Sequence, residues 1–297
     1  ASFRKYYRIN SKNFLIMDAP HEHGESVKSF QKIDKILINM GISAPTIHNI
    51  DEDNGFMLLE DFGDGKFSKI LNNKNENELY RSAVKVLAHI YLESKKKKFN
   101  LVEISEYSID LLLNESYLFC DWFMERHCKI ELTVDEKLKY KKILEKIYNQ
   151  IEFNLHSLVL RDYHVDNLIL LKDRQGLNQV GVIDFQDAVT GSNAYDLVSL
   201  LEDVRRPIAL ELKNSLIKDY INTTGCDLKK LIKEMQFFSV QRNLKIIGIF
   251  SRLKYRDQKP QYMKLIKNAW NYIYLHLEDS KFKELKLWLS NYEKKFI

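Results

Sequence analysis

Residues 160–167 read Leu-Arg-Asp-Tyr-His-Val-Asp-Asn and place an arginine, two aspartates, a histidine and an asparagine between the apolar runs LHSLV and LILL. Apolar runs on both sides anchor the segment in a core, so its polar groups are held in place. Asp162 and Asn167 stand five residues apart, and Asp184 follows in VGVIDFQDA at the end of the next strand-like run. An amide oxygen and a carboxylate converging from two strands form a hard-oxygen pair. Such a pair suits Mg²⁺, which takes one or two protein ligands and fills its shell with phosphate oxygens. The remaining carboxylate, Asp162, is then placed to orient a hydroxyl and accept its proton. That division of labour is phosphoryl transfer, in which positioning and charge neutralisation do most of the work. Any one of these residues alone would read as a turn cap or an ion-pair partner. The combination of Asp-x4-Asn on one run with Ile-Asp-Phe on the next points to chemistry.

The elements that must position these groups can be read from period and punctuation. YYRIN and NFLIM are strand-like runs separated by Ser11 and Lys12. Val27, Phe30, Ile33, Leu37 and Met40 recur at spacings of three and four, one face of a helix that Gly41 would end. PTIHNI and FMLLE are strands joined by the turn-rich DEDNG. After Gly63-Asp64-Gly65 the pattern becomes helical, over about 76–95, 105–127 and 134–152. Residues 157–185 interrupt it as a hairpin-like insert, and helices resume from about 193. The fold class expected is α+β, with a β-rich N-terminal lobe over residues 1–62, a hinge near 60–65, and a larger helical lobe over 63–297.

Composition bounds the rest. The 297 residues carry 46 Lys and Arg against 41 Asp and Glu, a net charge of only +5, and no nucleic-acid-binding motif accompanies it. No apolar run approaches the length of a membrane span, and ASFRKYYRIN lacks the apolar core of a signal peptide. Three cysteines without metal-ligand spacing fit a reducing cytoplasm. Lys95–Lys98 read as the solvated end of a helix. His21-Glu22-His23 lacks the further ligands a zinc site would need.

LVLRDYHVDNLILL followed by GVIDFQDAVTGSNAYDLVSLL resembles the aminoglycoside phosphotransferase/choline kinase family, whose fold is similar to that of protein kinases. The resemblance implies ATP and Mg²⁺ as cofactors, Asp162 as the catalytic aspartate, and Asn167 and Asp184 as metal ligands. It also implies Asp196, in Tyr-Asp-Leu, as a brace for the catalytic loop, with His164 in a structural role inside that loop. FMLLEDFGDG looks like the strand and hinge that receive adenine, which would put Glu60, Asp61 and Phe62 at the base, the carboxylate of Glu60 serving structure. Ser2 and Arg4 fall in the nucleotide loop. The strand that usually carries a phosphate-binding lysine reads FLIMDAP, so Arg4, ahead of Lys5 and Arg8, is expected to meet the phosphates. The histidine usual two residues before the catalytic aspartate is Leu160 here.

ASFRKYYRI, FLIMDAP, DFQDA, YDLVSLLEDVRRP and QRNLKIIGIFSRL resemble one branch of that family, the bacterial N-acetylmuramate/N-acetylglucosamine anomeric kinases. That branch implies phosphorylation of an amino sugar at its C1 hydroxyl in cell-wall recycling, in the cytoplasm, with no nucleic acid or membrane partner. Choline, an aminoglycoside or homoserine are alternative acceptors, and a nucleotide-binding pseudokinase is the alternative without turnover. Arg205 and Arg206, after the helix YDLVSLLEDV, are candidates to read the lactyl carboxylate of N-acetylmuramate, because arginine pairs bidentately with carboxylates.

Overall fold

The computed structural model describes residues 4–9, 13–20, 27–96 and 101–296. Two compact units emerge. The first takes in the chain up to Ser105 together with His156–Leu200 and Leu210–Gly225; the second holds Glu106–Leu155, Leu201–Ala209 and the chain from Cys226 on.

The first unit opens with an antiparallel sheet of β1 (Lys5–Arg8), β2 (Phe14–Asp18), β3 (Ile47–Asp51) and β4 (Phe56–Glu60), in the order β1-β2-β4-β3. The two central strands align Phe14 with Glu60 and Met17 with Met57. Between β2 and β3 runs α1 (Val27–Asn39), which buries Val27, Phe30, Ile33 and Leu37 as its spacing dictates. Gly41, at φ +78°, takes the left-handed conformation that stops it. After β4 come the short α2 (Phe67–Ile70) and the long α3 (Glu76–Ser94), whose first turn carries Glu76 and Glu78 where the helix dipole favours them.

Residues 157–191 depart from the expected hairpin-like insert over 157–185. A hairpin does form, from β6 (Leu168–Leu170) and β7 (Val180–Val182). The strand before it, β5 (Ser157–Val159), pairs instead with β8 (Val189–Gly191), beyond the expected segment. Tyr195 and Asp196 begin α6 (Ala194–Leu201), and α7 (Leu210–Thr224) follows.

In the second unit, α4 (Ile109–Leu118) runs directly into a π-helical stretch, Phe119–His127, where one continuous α-helix was expected. Its start lies in close contact with another helix. Gly248 of α8 (Leu228–Tyr255) lies so near the Leu118 backbone that a Cβ there would sit 2.2 Å from the Leu118 carbonyl carbon. The widened turn begins where the two helices touch. The unit also holds α5 (Val134–Asn149), with a full capping box of Thr133 and Glu136, α9 (Ile266–Leu277) and α10 (Lys283–Ser290). No helix among the described residues is long and apolar enough to cross a membrane.

Candidate active site

The loop between β5 and β6 is built by its own main chain and one buried carboxylate. Asp196, 3% exposed, accepts the Leu160 N–H on Oδ2 (2.6 Å) and the Arg161 N–H on Oδ1 (2.9 Å). Arg161 sits at φ +69°, an uncommon conformation for a non-glycine residue, and these two hydrogen bonds hold it there. The Asp162 N–H then reaches the Leu160 carbonyl (2.9 Å), and the His164 N–H reaches the Asp162 carbonyl (3.1 Å). Tyr163 is buried and donates to the Ala83 carbonyl of α3 (2.9 Å); burial, then the Asp196 charge, push its phenol well above the usual range. His164 is buried, and its carbonyl accepts the Asn167 N–H (2.8 Å).

Asn167 is where the predicted groups meet. Its Nδ2 donates to the Asp162 carbonyl (2.9 Å) and to Asp184 Oδ2 (3.3 Å). That fixes the amide so that its oxygen is the face left for a cation. Asp184, exposed and at φ +61°, accepts Gln186 Nε2 on its other oxygen (2.9 Å). An amide oxygen and a carboxylate, each oriented by a neighbour, are a hard-oxygen donor set that fits Mg²⁺. The Asp162 carboxylate is solvent-exposed at the adjoining turn.

A cavity of about 400 Å³ opens over this pair. Asn167 and Asp184 line one part; Leu59, Glu60, Asp61 and Phe62 line another, with Leu15 from β2. Arg4, Tyr6 and Arg8 line a further wall while Lys5 does not, which is the two-residue alternation of a strand. Arg8 is held by Asp61 Oδ1 (2.9 Å) and Asp64 (3.1 Å), carboxylates that raise its already high pKa. Glu60 does not face the cavity as a free carboxylate. Thr46 donates to its Oε2 from both N (3.1 Å) and Oγ1 (2.9 Å), and Arg174 pairs with Oε1. Ser2 and His21–His23 lie outside the described residues. Arg205 and Arg206 belong to the second unit, where Asp203 accepts from the Arg205 backbone N (3.0 Å) and Nη1 (3.1 Å), and the Arg206 N–H caps the Asp203 carbonyl (3.1 Å).

Sequence reasoning passed over Gln186, Lys66 and Lys69. Gln186 orients Asp184, and its place in DFQDA was the available signal. Lys66 and Lys69 line the cavity because α2 packs on the loop, Ser68 N–H donating to the Val165 carbonyl (3.0 Å). Gly65 permits this, since a Cβ would meet the Leu170 carbonyl oxygen at 2.5 Å.

Residues 1–228 match the sequence profile of the phosphotransferase enzyme family. The chain belongs to that family. This phosphotransferase is also 29% identical over 286 residues to the N-acetylmuramate/N-acetylglucosamine kinase of Pseudomonas aeruginosa, covering 92% of this chain and 80% of that one. It is 30% identical over 282 residues to the enzyme of the same name from Pseudomonas putida, at the same coverage. Its fold is protein-kinase-like. It is similar to that of choline kinase LicA from Streptococcus pneumoniae, with a TM-score of 0.63, 10% identity and coverage of 91% and 89% of the two chains. It is also similar to ADP-bound aminoglycoside phosphotransferase APH(2'')-Ib, with a TM-score of 0.59, 15% identity and 94% of each chain covered.

Proposed function

We propose that this phosphotransferase moves the γ-phosphoryl group of ATP to the C1 hydroxyl of N-acetylmuramate or N-acetylglucosamine, in the cytoplasm. The observation that carries the reading is the convergence of Asn167 and Asp184 on one cavity, with Asp162 tied to Asn167 through its carbonyl. The kinase names of its relatives support the choice of acceptor.

In this reading the base lies against β4 and the residues after it, with Leu15 and Leu59 on its apolar faces. The phosphates run toward Asn167 and Asp184. Those two residues would hold Mg²⁺, which supplies positive charge to the phosphate oxygens. Arg4, Lys66 and Lys69 add charge around the tail, in place of a strand lysine. Asp162 orients the acceptor hydroxyl and takes its proton as the oxygen bonds to the γ-phosphorus, and the bond to the bridging oxygen breaks to release ADP. A C1 hydroxyl of a reducing sugar is more acidic than an ordinary alcohol, so a carboxylate suffices as base.

The test is ADP release from Mg-ATP with amino sugars, choline and aminoglycosides as acceptors, and product identification by phosphorus NMR. Sugar 1-phosphate is expected from N-acetylglucosamine, and none from its 1-O-methyl glycoside. Asp162→Asn should lose turnover while still binding Mg-ATP. Equal turnover of the methyl glycoside would move the reaction away from C1, and turnover surviving in Asp162→Asn would remove the proposed base.

A further inference from the structure

Arg174 sits in the turn of the β6–β7 hairpin, seven residues after Asn167 and ten before Asp184, the two proposed metal ligands. Its guanidinium makes three contacts at once. It pairs with Glu60 at the end of β4, Nη1 donates to Ser43 Oγ (2.9 Å), and the group lies 5.3 Å from the centre of the Phe62 ring. Each partner is itself fixed. The second oxygen of Glu60 is taken by Thr46. Ser43 Oγ donates to the Asn178 carbonyl (2.8 Å), and the Ser43 carbonyl accepts the Val182 N–H (2.9 Å). Phe62 is pressed onto Gly181 of β7, where a Cβ would come within 2.7 Å of its ring, and it packs with Ile169, Leu171 and Ile183.

The hairpin that Arg174 closes carries Asn167 just before β6 and Asp184 just after β7. The residues it grips, Glu60 and Phe62, line the same cavity as Asn167 and Asp184. Arg174 therefore joins the segment that would receive the base to the segment that would receive the phosphates. The pairing is half-shielded, with the two side chains 28% and 23% exposed, so it is neither a freely solvated surface pair nor a deeply buried one. A planar fork that bonds two acceptors while lying against a ring fixes an orientation as well as a distance, which a lysine ammonium does not.

We propose that Arg174 is a positioning residue for the nucleotide: through Glu60 and Phe62 it sets the spacing between the base-binding strand end and the Asn167–Asp184 pair. The inference rests on the reading of this cavity as the nucleotide site. A rigid register lowers the ordering cost of binding a long, flexible ligand, so its loss weakens nucleotide binding while the acceptor's own affinity is unchanged.

The test compares wild type, Arg174→Ala, Arg174→Lys and Glu60→Gln in the full chain. The measurements are the Mg-ATP Kd by calorimetry, KM for ATP and for N-acetylglucosamine, kcat, and thermal melting. Arg174→Ala should raise the Kd and KM for ATP tenfold or more and leave the KM for the sugar within twofold. Arg174→Lys should recover part of the loss, and Glu60→Gln should shift ATP binding in the same direction. Adding Glu60→Gln to Arg174→Ala should change little, since the contact is already gone. A folded Arg174→Ala protein with wild-type ATP affinity overturns the proposal, as does a loss shared equally between ATP and sugar. Where Arg174→Ala does not fold, Glu60→Gln, nearly isosteric, decides on the same two criteria. Wild type that binds no nucleotide overturns the reading of the cavity and the proposal with it. Wild type that binds Mg-ATP but turns over no sugar sinks only the acceptor, and the Kd measurements still decide on Arg174.

Discussion

Asp34 sits on the buried face of α1, 3% exposed, where the pattern Val27, Phe30, Ile33, Leu37 calls for an apolar residue. Its Oδ1 has no hydrogen-bond partner, and burial, reinforced by the Glu60 charge, pushes its carboxyl up to about 7. In the unfolded chain the same carboxyl titrates near ~3.9. The folded state thus holds the proton to higher pH than the unfolded state does. The burial penalty is absent below the unfolded value, grows as pH rises between the two values, and is complete above about 7. Each pH unit in that window costs about 1.4 kcal/mol, so the full penalty at pH 8 is on the order of 4 kcal/mol. Asp34→Asn keeps the shape and removes the charge at every pH. Its amide introduces N–H groups that need partners, but that cost does not vary with pH. Stability relative to wild type should therefore rise by about 2–3 kcal/mol between pH 5 and pH 8, whatever the constant offset. Urea unfolding of both proteins at pH 5, 6, 7 and 8 measures this directly. Parallel pH profiles would refute the reasoning, because they would mean that Asp34 ionises alike in both states.

Other perturbations test other links. Gly248→Ala should destabilise the chain by about 3 kcal/mol or more, since the Leu118 backbone cannot yield as a flexible side chain would; thermal melting reads it. Thr133→Ala removes the hydroxyl that accepts from Glu136 N (3.2 Å) and should cost about 1 kcal/mol by denaturant titration, with kcat unchanged. Asp196→Ala leaves two loop N–H groups without their carboxylate, for a loss of about 2–4 kcal/mol and most of the turnover, while Mg-ATP binding measured by calorimetry changes less.

Local signals were legible in the sequence. The α1 stripe, the four sheet strands and the Asp162, Asn167 and Asp184 spacing each lie within a few residues of the apolar runs that position them. The β5–β8 pairing was not, because strands of three residues have no measurable period and their register, Ser157 to Gly191, is set across the whole loop and hairpin. The π-helical stretch was equally hidden. Nothing in FCDWFMERH breaks a helix, and the glycine packed against its start lies on another helix some 130 residues away. Arg174 reads as one polar residue in the turn DRQG, and its partners Glu60 and Ser43 lie 114 and 131 residues distant.

Leu160 shows how a departure from a family pattern can be absorbed. A leucine there cannot supply the side-chain hydrogen bond of a histidine. The loop, however, is held at this point by the main chain: the N–H groups of residues 160 and 161 each bond one oxygen of Asp196. Any residue but proline offers that N–H, and the leucine side chain, 2% exposed, is taken up by the core. The demand therefore moves to residue 196, which must accept twice from two donors in fixed positions. A carboxylate can do so; an amide has one acceptor oxygen and would turn its NH₂ toward the other N–H. Asp196→Asn, nearly unchanged in shape, should accordingly impair the loop almost as much as Asp196→Ala. If it behaved as wild type in stability and turnover, the bracing of this loop would have to come from side chains, and the leucine would again need explaining.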